Sequence, residues 1–291
     1  MNSGTRMPPV TEEAPLLAWL LGALAPLNRT RVKQLLKFGS VSVNGLPTTK
    51  HDHPLKPGDR VEVTRGGAAP DRTLELAKIV ILFEDDALIA IDKPAGLLTV
   101  ATETERTDTA FARLLTHLAT RNRGRPFVVH RLDRDTSGVL LFARTAEARD
   151  ALQSQWDAVT KTYLAVVEGR PRQAEGEIDN VLVEGDDYRV RIARDGDANA
   201  KRAISRYRVL KTKERFSLIE VELITGRKHQ IRVHMNGLAC PIIGDPIYGK
   251  AANPAKRLGL HAARLSLPHP ITGERVELES PLPYALKRIC E

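Results

Sequence analysis

Hydrophobic and polar positions divide the chain into two patterned regions. Residues 1–13 are polar, contain two prolines and show no periodicity, so they are expected to form a disordered leader. Regular patterns run through residues 14–64 and again through 74–291, and the stretch between them, 65–73, is small and polar. The pattern therefore predicts a small N-terminal domain, a linker and a large second domain.

Residues 14–64 carry the pattern of two helices followed by short strands. Leucines spaced three to four residues apart follow Pro15, a residue that is tolerated in the first turn of a helix. A second helix is predicted, with Thr30 as its N-cap and Gly39 at its end. Alternating valines then predict a strand that turns at Asn44-Gly45.

The second region consists of short strands with few helices between them. Gly and Pro turns separate its apolar runs, which is typical of an α+β fold around a mixed, mostly antiparallel sheet. Helices are predicted over 109–119 and 146–159. The predicted strands span 77–83, 88–91, 139–142, 164–167 and 217–223.

Composition narrows the class of protein. Hydrophobic residues make up 42% of the 291 positions, which indicates a globular chain with a real core. The formal net charge is +8, which favours a polyanionic partner over a membrane or a neutral small molecule. Cys240 and Cys290 have no paired spacing, so a reducing, cytoplasmic location is expected.

One apolar segment allows a second interpretation of location. Residues 14–27 are apolar and contain an Ala-x-Ala sequence, as a signal peptide would. The segment is too short to span a bilayer, and Glu12 and Glu13 stand where a signal peptide carries positive charge. A helix of a cytosolic protein explains the same residues, and no membrane association is expected.

The predicted second helix is strongly basic. It carries Arg29, Arg31, Lys33 and Lys37 with no acidic residue among them. Such a run can be a solvated helix face, but here a hairpin and a Gly-Asp turn follow it. This order of elements resembles the small alpha-L RNA-binding domain. The resemblance implies that the four cations neutralise RNA phosphates, which gives affinity and salt dependence but little sequence choice.

Common cofactor motifs are missing from the chain. There is no GxxxxGK[ST] loop, GxGxxG turn, HExxH or paired CxxC, so nucleotide hydrolysis, dinucleotide redox chemistry and the usual zinc sites lack their signatures. One other motif is prominent. In HRLDRDTSG at 130–138, Asp133 lies between basic residues shortly before an apolar strand.

HRLDxxTSG is the signature of RNA pseudouridine synthases of the RluA type, and the chain resembles that family over residues 74–285. Further motifs of the family follow in its order. They are EDD at 84–86 with KPAGL at 93–97, KTYLA at 161–165, TGRKHQIRVH at 225–234, GDPIYG at 244–249, LHA at 260–262 and PLP at 281–283. The resemblance implies the pseudouridine synthase fold, RNA as the partner and no cofactor.

Members of this family convert uridine to pseudouridine by breaking the bond between ribose C1′ and uracil N1 and rejoining the base through C5. The product is an isomer, so no cofactor is consumed. The resemblance places the essential carboxylate on Asp133, acting at a uridine that is flipped out of its stack. Attack by this carboxylate on the sugar or base, and a glycal route through deprotonation at C2′, both fit the sequence.

The resemblance assigns roles to four further residues. Arg232 pairs with Asp133, because a carboxylate in a closed pocket needs a fixed positive charge beside it. Tyr163 lies against the uracil ring and takes part in proton transfer. Arg131 moves into the space that the flipped uridine leaves. Arg227 either contacts a phosphate or has a structural role.

Two further groups of residues are candidates for binding RNA phosphates or a metal ion. The stretch 201–234 holds ten Lys and Arg residues against three acidic residues, and part of it is expected to face RNA phosphates beside the pocket. His130, His229 and His234 are not expected to bind a metal, because no carboxylate is spaced to complete a ligand set.

Alternatives concern both activity and substrate. A catalytically inactive RNA-binding protein could use the same two domains, whereas a base-flipping glycosidase or deaminase would need a second placed carboxylate or a zinc site. The resemblance to an alpha-L domain followed by an RluA-type core implies large-subunit ribosomal RNA as the substrate. Transfer RNA is the alternative, because it also occurs as a substrate in this family and specificity for RNA usually lies in loop shape. The protein is expected to act as a monomer.

Overall fold

The computed structural model describes two compact units. They divide between Lys78 and Ile79, and the predicted linker, 65–73, lies outside the described residues. The described residues are 5–27, 29–37, 41–63, 79–103, 105, 107–119, 121, 124–185, 189–249 and 253–291.

The small unit packs two helices against short strands. Helices α1 (Leu16–Ala23) and α2 (Arg29–Lys37) bury their apolar faces in one core with the valines of the strands. The strands are β1 (Thr5–Arg6), β2 (Ala14–Pro15), β3 (Val41–Val43), β4 (Leu46–Pro47), β5 (Pro54–Leu55) and β6 (Val61–Val63). They pair in the order β1-β6-β3-β4, and β2 pairs separately with β5.

The predicted hairpin at Asn44-Gly45 is confirmed. Both residues have positive φ, 52° and 80°, as a type I′ turn requires. The Asn44 amide donates to Asp59 Oδ1 at 2.9 Å, and Asn44 Oδ1 accepts the Arg60 N–H at 2.9 Å. The hairpin and the Gly-Asp turn are therefore one hydrogen-bonded unit.

The expected disordered leader is wrong for residues 5–13. Strand β1 pairs with β6, and Met7 and Val10 are buried in the small core. These two apolar side chains, although they follow no regular period, complete a core that the helices leave open. The cap prediction also needs correction, because α2 begins at Arg29 and Thr30 therefore lies inside its first turn. The predicted end at Gly39 lies outside the described residues.

Leucines of the apolar segment 14–27 face the same core. Leu16, Leu17 and Leu20 are buried there, as expected for a helix of a folded unit. None of the helices in the described part of the chain has the length and hydrophobicity needed to cross a membrane.

The large unit is built on one mixed sheet with four helices among its described residues. The helices are α3 (Ala110–Ala119), α4 (Ala146–Ser154), α5 (Gln230–Gly237) and α6 (Tyr284–Cys290). The strands are β7 (Val80–Glu84), β8 (Leu88–Lys93), β9 (Phe127–Val128), β10 (Ser137–Ala143), β11 (Thr160–Glu168), β12 (Glu175–Glu184), β13 (Val190–Ile192), β14 (Lys201–Lys213), β15 (Phe216–Leu223), β16 (Leu260–Pro268) and β17 (Arg275–Glu279).

The strand order of this sheet is β13-β12-β14-β15-β11-β16-β10-β8-β7, with β17 paired to β16 and β9 paired to β10. Its strand pairs are antiparallel apart from β10 with β16. The α+β class and the mostly antiparallel sheet are thereby confirmed. The predicted elements do not include helices α5 and α6 or six of the strands, namely β9, β12, β13, β14, β16 and β17.

Strand β16 is inserted between β10 and β11, although β10 and β11 are neighbours along the chain. The approach of β10 to β16 is unusually close at Gly138, where φ is +111°. A Cβ there would lie 2.1 Å from the carbonyl oxygen of Ala262, so only glycine fits. This contact anchors the start of β10 directly after the HRLDRDTSG loop.

Helices α5 and α6 cover opposite faces of the sheet. Ile231 and Met235 of α5 pack with Ala165 of β11, whereas Leu286 of α6 packs with its neighbour Val166. Successive residues of a strand point to opposite faces. The face that α5 covers is the one on which the motif residues meet.

Candidate active site

Asp133 lies in a tightly fixed loop just before β10. The hydroxyl of Thr99 accepts the Leu132 N–H at 3.1 Å and donates to the Leu132 carbonyl at 2.8 Å. On the other side, the Thr136 N–H donates to the Asp133 carbonyl at 3.2 Å. The backbone is thus held on both sides of the carboxylate, whose side chain remains 31% exposed and can be reached by a substrate.

A buried ammonium group lies beneath this loop. Lys93 is fully buried, and its Nζ donates to the carbonyl oxygens of Pro94 at 3.0 Å, Leu97 at 2.8 Å and Arg134 at 3.0 Å. One side chain therefore joins the KPAGL segment to the loop of Asp133. Burial lowers the pKa of Lys93 to about 7, although the negative charge of Asp135 opposes that change.

Arg232 projects from the first turn of α5 and contacts two carboxylates. Its Nε and Nη2 each lie 2.7 Å from an oxygen of Asp245, while its Nη1 lies 3.8 Å from Asp133 Oδ2. The structure brings Arg232 and Asp133 together, as expected, but the bidentate partner is Asp245. The reason is burial, because the Asp245 side chain is inaccessible to water and Asp133 is not.

Asp245 is held by four hydrogen bonds. Besides the two from Arg232, its Oδ1 accepts the backbone N–H groups of Ile247 at 2.9 Å and Tyr248 at 3.0 Å. Burial alone would raise the pKa of Asp245, but these donors hold it below the usual value. The buried carboxylate stays charged and fixes the guanidinium in place.

Tyr163 lies on β11 at an irregularity in the pairing with β16. It is half-buried and packs against the two core clusters on either side of the site. Burial raises the pKa of Tyr163 above 10, and the negative charge of Asp133 raises it further. The phenol is therefore protonated at neutral pH, and Asp133 is close enough to act on it electrostatically.

His229 and Tyr248 complete the surroundings of Asp133. His229 Nε2 lies 3.8 Å from Asp133 Oδ2, and His229 Nδ1 lies 3.0 Å from the hydroxyl of Tyr248. Burial lowers the pKa of His229, and the nearby Arg232 lowers it further. A neutral imidazole therefore faces the carboxylate.

The other two motif histidines have structural contacts. His130 Nε2 accepts the Leu141 N–H at 3.0 Å, its ring stacks on Trp156, and burial lowers its pKa to about 3. His234 Nδ1 lies 3.0 Å from the hydroxyl of Ser205. In the part of the chain that the structure describes, no three His, Cys, Asp or Glu residues lie together in a group that could hold a metal ion.

The predicted RNA contacts are placed as follows. Arg131, next to the carboxylate loop, is exposed. Arg227 is exposed as well, and its Nε donates to the carbonyl of Arg202 at 3.1 Å. In the small unit Arg29 and Lys33 are exposed on α2. The side chains of Arg31 and Lys37 lie outside the described part of the chain.

Cations of the stretch 201–234 are paired in large part away from this site. Arg202 binds Asp179, Arg206 binds Glu177 and Arg208 binds Glu220. On β14 these arginines alternate with buried residues that pack towards α5, so they point to the opposite face. Part of this stretch is expected to face RNA beside the pocket, and these three residues do not belong to that part.

The comparisons with known proteins agree on one family. A family model described as RNA pseudouridylate synthase matches residues 87–237. An RNA pseudouridine synthase of Bacillus subtilis (strain 168), YlyB, described as uncharacterized, is 37% identical over 91% of this chain and 89% of its own. The ribosomal large subunit pseudouridine synthase D of Zymomonas mobilis is 33% identical over 96% of this chain and 94% of its own.

Solved structures give the same result. The human RNA pseudouridylate synthase domain containing 4 protein is 28% identical and superposes with a TM-score of 0.61, over 74% of this chain and 92% of its own. The human domain containing 1 protein is 25% identical, with a TM-score of 0.58 over 71% of this chain and 84% of its own.

Proposed function

The chain belongs to the RNA pseudouridylate synthase family and isomerises uridine to pseudouridine in RNA, and we propose that it acts on large-subunit ribosomal RNA with Asp133 as the essential carboxylate. The observation that carries the site assignment is the half-exposed Asp133 beside the guanidinium of Arg232, which is itself buried and fixed by Asp245.

The reaction exchanges one glycosidic bond for another. The C1′–N1 bond breaks, the uracil turns, and a C1′–C5 bond forms; C5 then loses its proton and N1 carries one in the product. Of the two aspartates in the motif HRLDRDTSG, Asp133 and Asp135, the described structure brings only Asp133 within 4 Å of Arg232. A carboxylate that is fixed in this way suits both attack on the nucleoside and removal of a ribose proton.

Tyr163 is assigned to the uracil ring. Its ring is half-exposed on the site side of β11, and its phenol is protonated at neutral pH. It can therefore stack on the base and also exchange a proton near C5 or C2′. Arg131 is exposed and lies two residues before Asp133, which supports the proposal that it replaces the flipped uridine in the RNA stack.

Two observations support a ribosomal substrate. The relative from Zymomonas mobilis is named for the large ribosomal subunit and matches this chain along nearly its whole length. The small unit offers the exposed Arg29 and Lys33 on α2, which suits electrostatic contact with a large structured RNA. The protein is proposed to act there as a cytoplasmic monomer.

Pseudouridine mapping tests the substrate. Ribosomal RNA and tRNA from cells with and without the gene would be treated with a carbodiimide that labels pseudouridine, and the labelled positions read by primer extension. Loss of one or more sites in large-subunit RNA is the expected result. Loss in tRNA alone would contradict the ribosomal assignment.

The Asp133→Asn variant tests the carboxylate. Asparagine is nearly isosteric but carries no charge, so the variant should fold and bind RNA without restoring the missing pseudouridines. Restored modification would contradict the role of Asp133. Binding without modification by the wild-type protein would favour the catalytically inactive alternative.

A further inference from the structure

Two donors converge on one oxygen of the Asp133 carboxylate. Arg232 Nη1 and His229 Nε2 each lie 3.8 Å from Oδ2. Two of the five N–H donors of Arg232 are bound to Asp245 at 2.7 Å, and the two on Nη1 are not among them. His229 Nε2 has no hydrogen-bond partner among the described residues, and its side chain is only 11% exposed.

The hydrogen-bond chain behind His229 favours one of its two ring nitrogens as the position of the hydrogen. The backbone N–H of Val190 donates to the Tyr248 hydroxyl oxygen at 2.9 Å. Because that oxygen already accepts one hydrogen, its own hydroxyl hydrogen is free for His229 Nδ1, 3.0 Å away. When Tyr248 donates in this way, the one N–H hydrogen of a neutral imidazole lies on Nε2, which faces Asp133.

The backbone of His229 is strained in a way that serves this arrangement. With φ 53° and ψ 14°, it lies in the left-handed region immediately before α5. That conformation is unfavourable for a residue with a side chain. The conformation directs the imidazole between Tyr248, whose ring it meets edge-on at 5.7 Å, and the carboxylate loop.

We propose that His229 is a positioning residue for Asp133, held by Tyr248 as the neutral Nε2–H tautomer so that it donates to Oδ2 and leaves Oδ1 to react. The inference rests on the proposed role of Asp133. The 3.8 Å separation exceeds a hydrogen bond by about 1 Å, and such contacts often tighten only when a substrate closes the site. His229 and Arg232 together would then fix the rotation of the carboxylate.

Two substitutions of His229 separate this role from a purely structural one. Asparagine adopts the left-handed conformation readily but is too short to reach Asp133. Glutamine fits that conformation less well, yet its amide N–H₂ can occupy the place of Nε2. Positioning therefore predicts that His229→Gln is more active than His229→Asn, whereas a helix-terminus role predicts the reverse order.

The assay uses total RNA labelled with 5-tritiated uridine from cells that lack the gene, so that the natural target is present whichever RNA it is. Release of tritium from C5 measures isomerisation. We expect His229→Asn to lower the single-turnover rate, measured with enzyme in saturating excess over RNA, about 10- to 100-fold, the range for a misplacement of about 1 Å. His229→Gln should stay within about fivefold of wild type, and KM should change little in both, since the donor orients a reacting group.

Tyr248→Phe provides the matched second variant. It removes the hydroxyl that fixes the tautomer but keeps the ring over which Arg232 lies at 5.1 Å. It should slow the wild-type enzyme about fivefold and have no further effect in the His229→Asn background, because coupled residues are not additive. Equal effects in both backgrounds would overturn the proposal, as would a more active Asn than Gln variant.

Nuclear magnetic resonance tests the tautomer without relying on activity. Two-bond ¹H–¹⁵N correlation of the imidazoles, with His229→Asn used for assignment, should show the Nε2–H tautomer at neutral pH. Tyr248→Phe should raise the share of Nδ1–H. An Nδ1–H tautomer in the wild-type protein would overturn the proposal whatever the activities of the variants. If Asp133→Asn proves active, by contrast, the proposed carboxylate role fails while the tautomer result stands.

Discussion

Replacement of Asp245 by asparagine offers a test of how the site is held together. The chain contains a matched control, because Arg202 also binds an aspartate, Asp179, through Nε and Nη2. Both pairs are bidentate. They differ in exposure: the Asp245 side chain is inaccessible, whereas that of Asp179 is 39% exposed.

Burial sets the expected magnitudes. Loss of one partner from a buried pair leaves an uncompensated charge and lowers the free energy of unfolding by about 3–5 kcal/mol. Loss of an exposed pair lowers it far less, because both charges stay solvated and the attraction between them is screened by water. Asp245→Asn should therefore destabilise the large unit several times more than Asp179→Asn, and it should also slow isomerisation because Arg232 is no longer fixed.

Urea unfolding followed by tryptophan fluorescence measures the difference. Trp156 reports on the large unit once Trp19 of the small unit is replaced by phenylalanine. Since the pKa of Asp245 is lowered on folding, its contribution is complete above the ordinary value of 3.8 and is lost as pH falls through the folded value. The difference in the free energy of unfolding between the Asp245→Asn and Asp179→Asn variants should therefore become smaller in acid. Equal destabilisation by the two substitutions at pH 7 would refute the reasoning.

Three further predictions concern the other charged groups. Arg232→Leu should abolish turnover and destabilise the large unit, and adding Asp245→Asn should recover part of the stability but no activity in the tritium assay. The pKa of Lys93 falls from 10.5 to about 7 on folding, so the unfolded chain binds more protons than the folded chain between these two pH values. The urea midpoint of the wild-type protein should therefore rise with pH across this window, and that of Lys93→Met should not. Replacing Arg29 and Lys33 by glutamine should flatten the plot of log binding constant against log salt by about 1.5, at 0.7–0.9 per phosphate contact; an unchanged slope would show that these cations do not contact RNA.

Sequence motifs point to Asp133, Tyr163 and Arg232 as the site, and the structure adds the residues that hold them. Asp133, Tyr163 and Arg232 meet because the loop before β10, strand β11 and helix α5 reach the same face of the sheet. The partnership of Arg232 with Asp245 could not be read from spacing, because it depends on which of two carboxylates is buried. The GDPIYG motif was the available signal for Asp245 and Tyr248.

The partners of Lys93 and of the paired arginines could not be predicted from sequence spacing either. A lysine is ordinarily a surface residue, and only the three carbonyl groups gathered around Nζ explain its burial. The excess of cations over 201–234 is largely offset by acidic residues that lie elsewhere in the sequence. Arg206, for example, binds Glu177 on the neighbouring strand β12. Local charge counts cannot include partners that only the sheet register brings together.

The order of residues 5–13 could not be predicted from the sequence for a related reason. Periodicity identifies helices and strands that are long enough to repeat, but β1 has only two residues and Met7 and Val10 follow no repeat. Their order comes from an open edge of β6 and an incomplete core. Neither of these is visible along the chain itself.

The insertion of β16 has a consequence for how the enzyme is made. Asp133 immediately precedes β10 and Tyr163 lies on β11, and the two strands are held about 10 Å apart by the strand between them, at about 4.8 Å per step. That strand consists of residues 260–268 of a 291-residue chain. Its pairing with β10 closes a loop of more than a hundred residues, from Ser137 to His261.

Contacts of such long range form late in folding. A ribosome that has produced the carboxylate loop, β10 and β11 has therefore not yet produced the spacer that sets their separation. A chain that stops before residue 260 holds Asp133 and Tyr163 but lacks the strand that separates β10 from β11. The spacing between these two side chains is therefore a property of the completed sheet and not of the segment 133–163 that carries them.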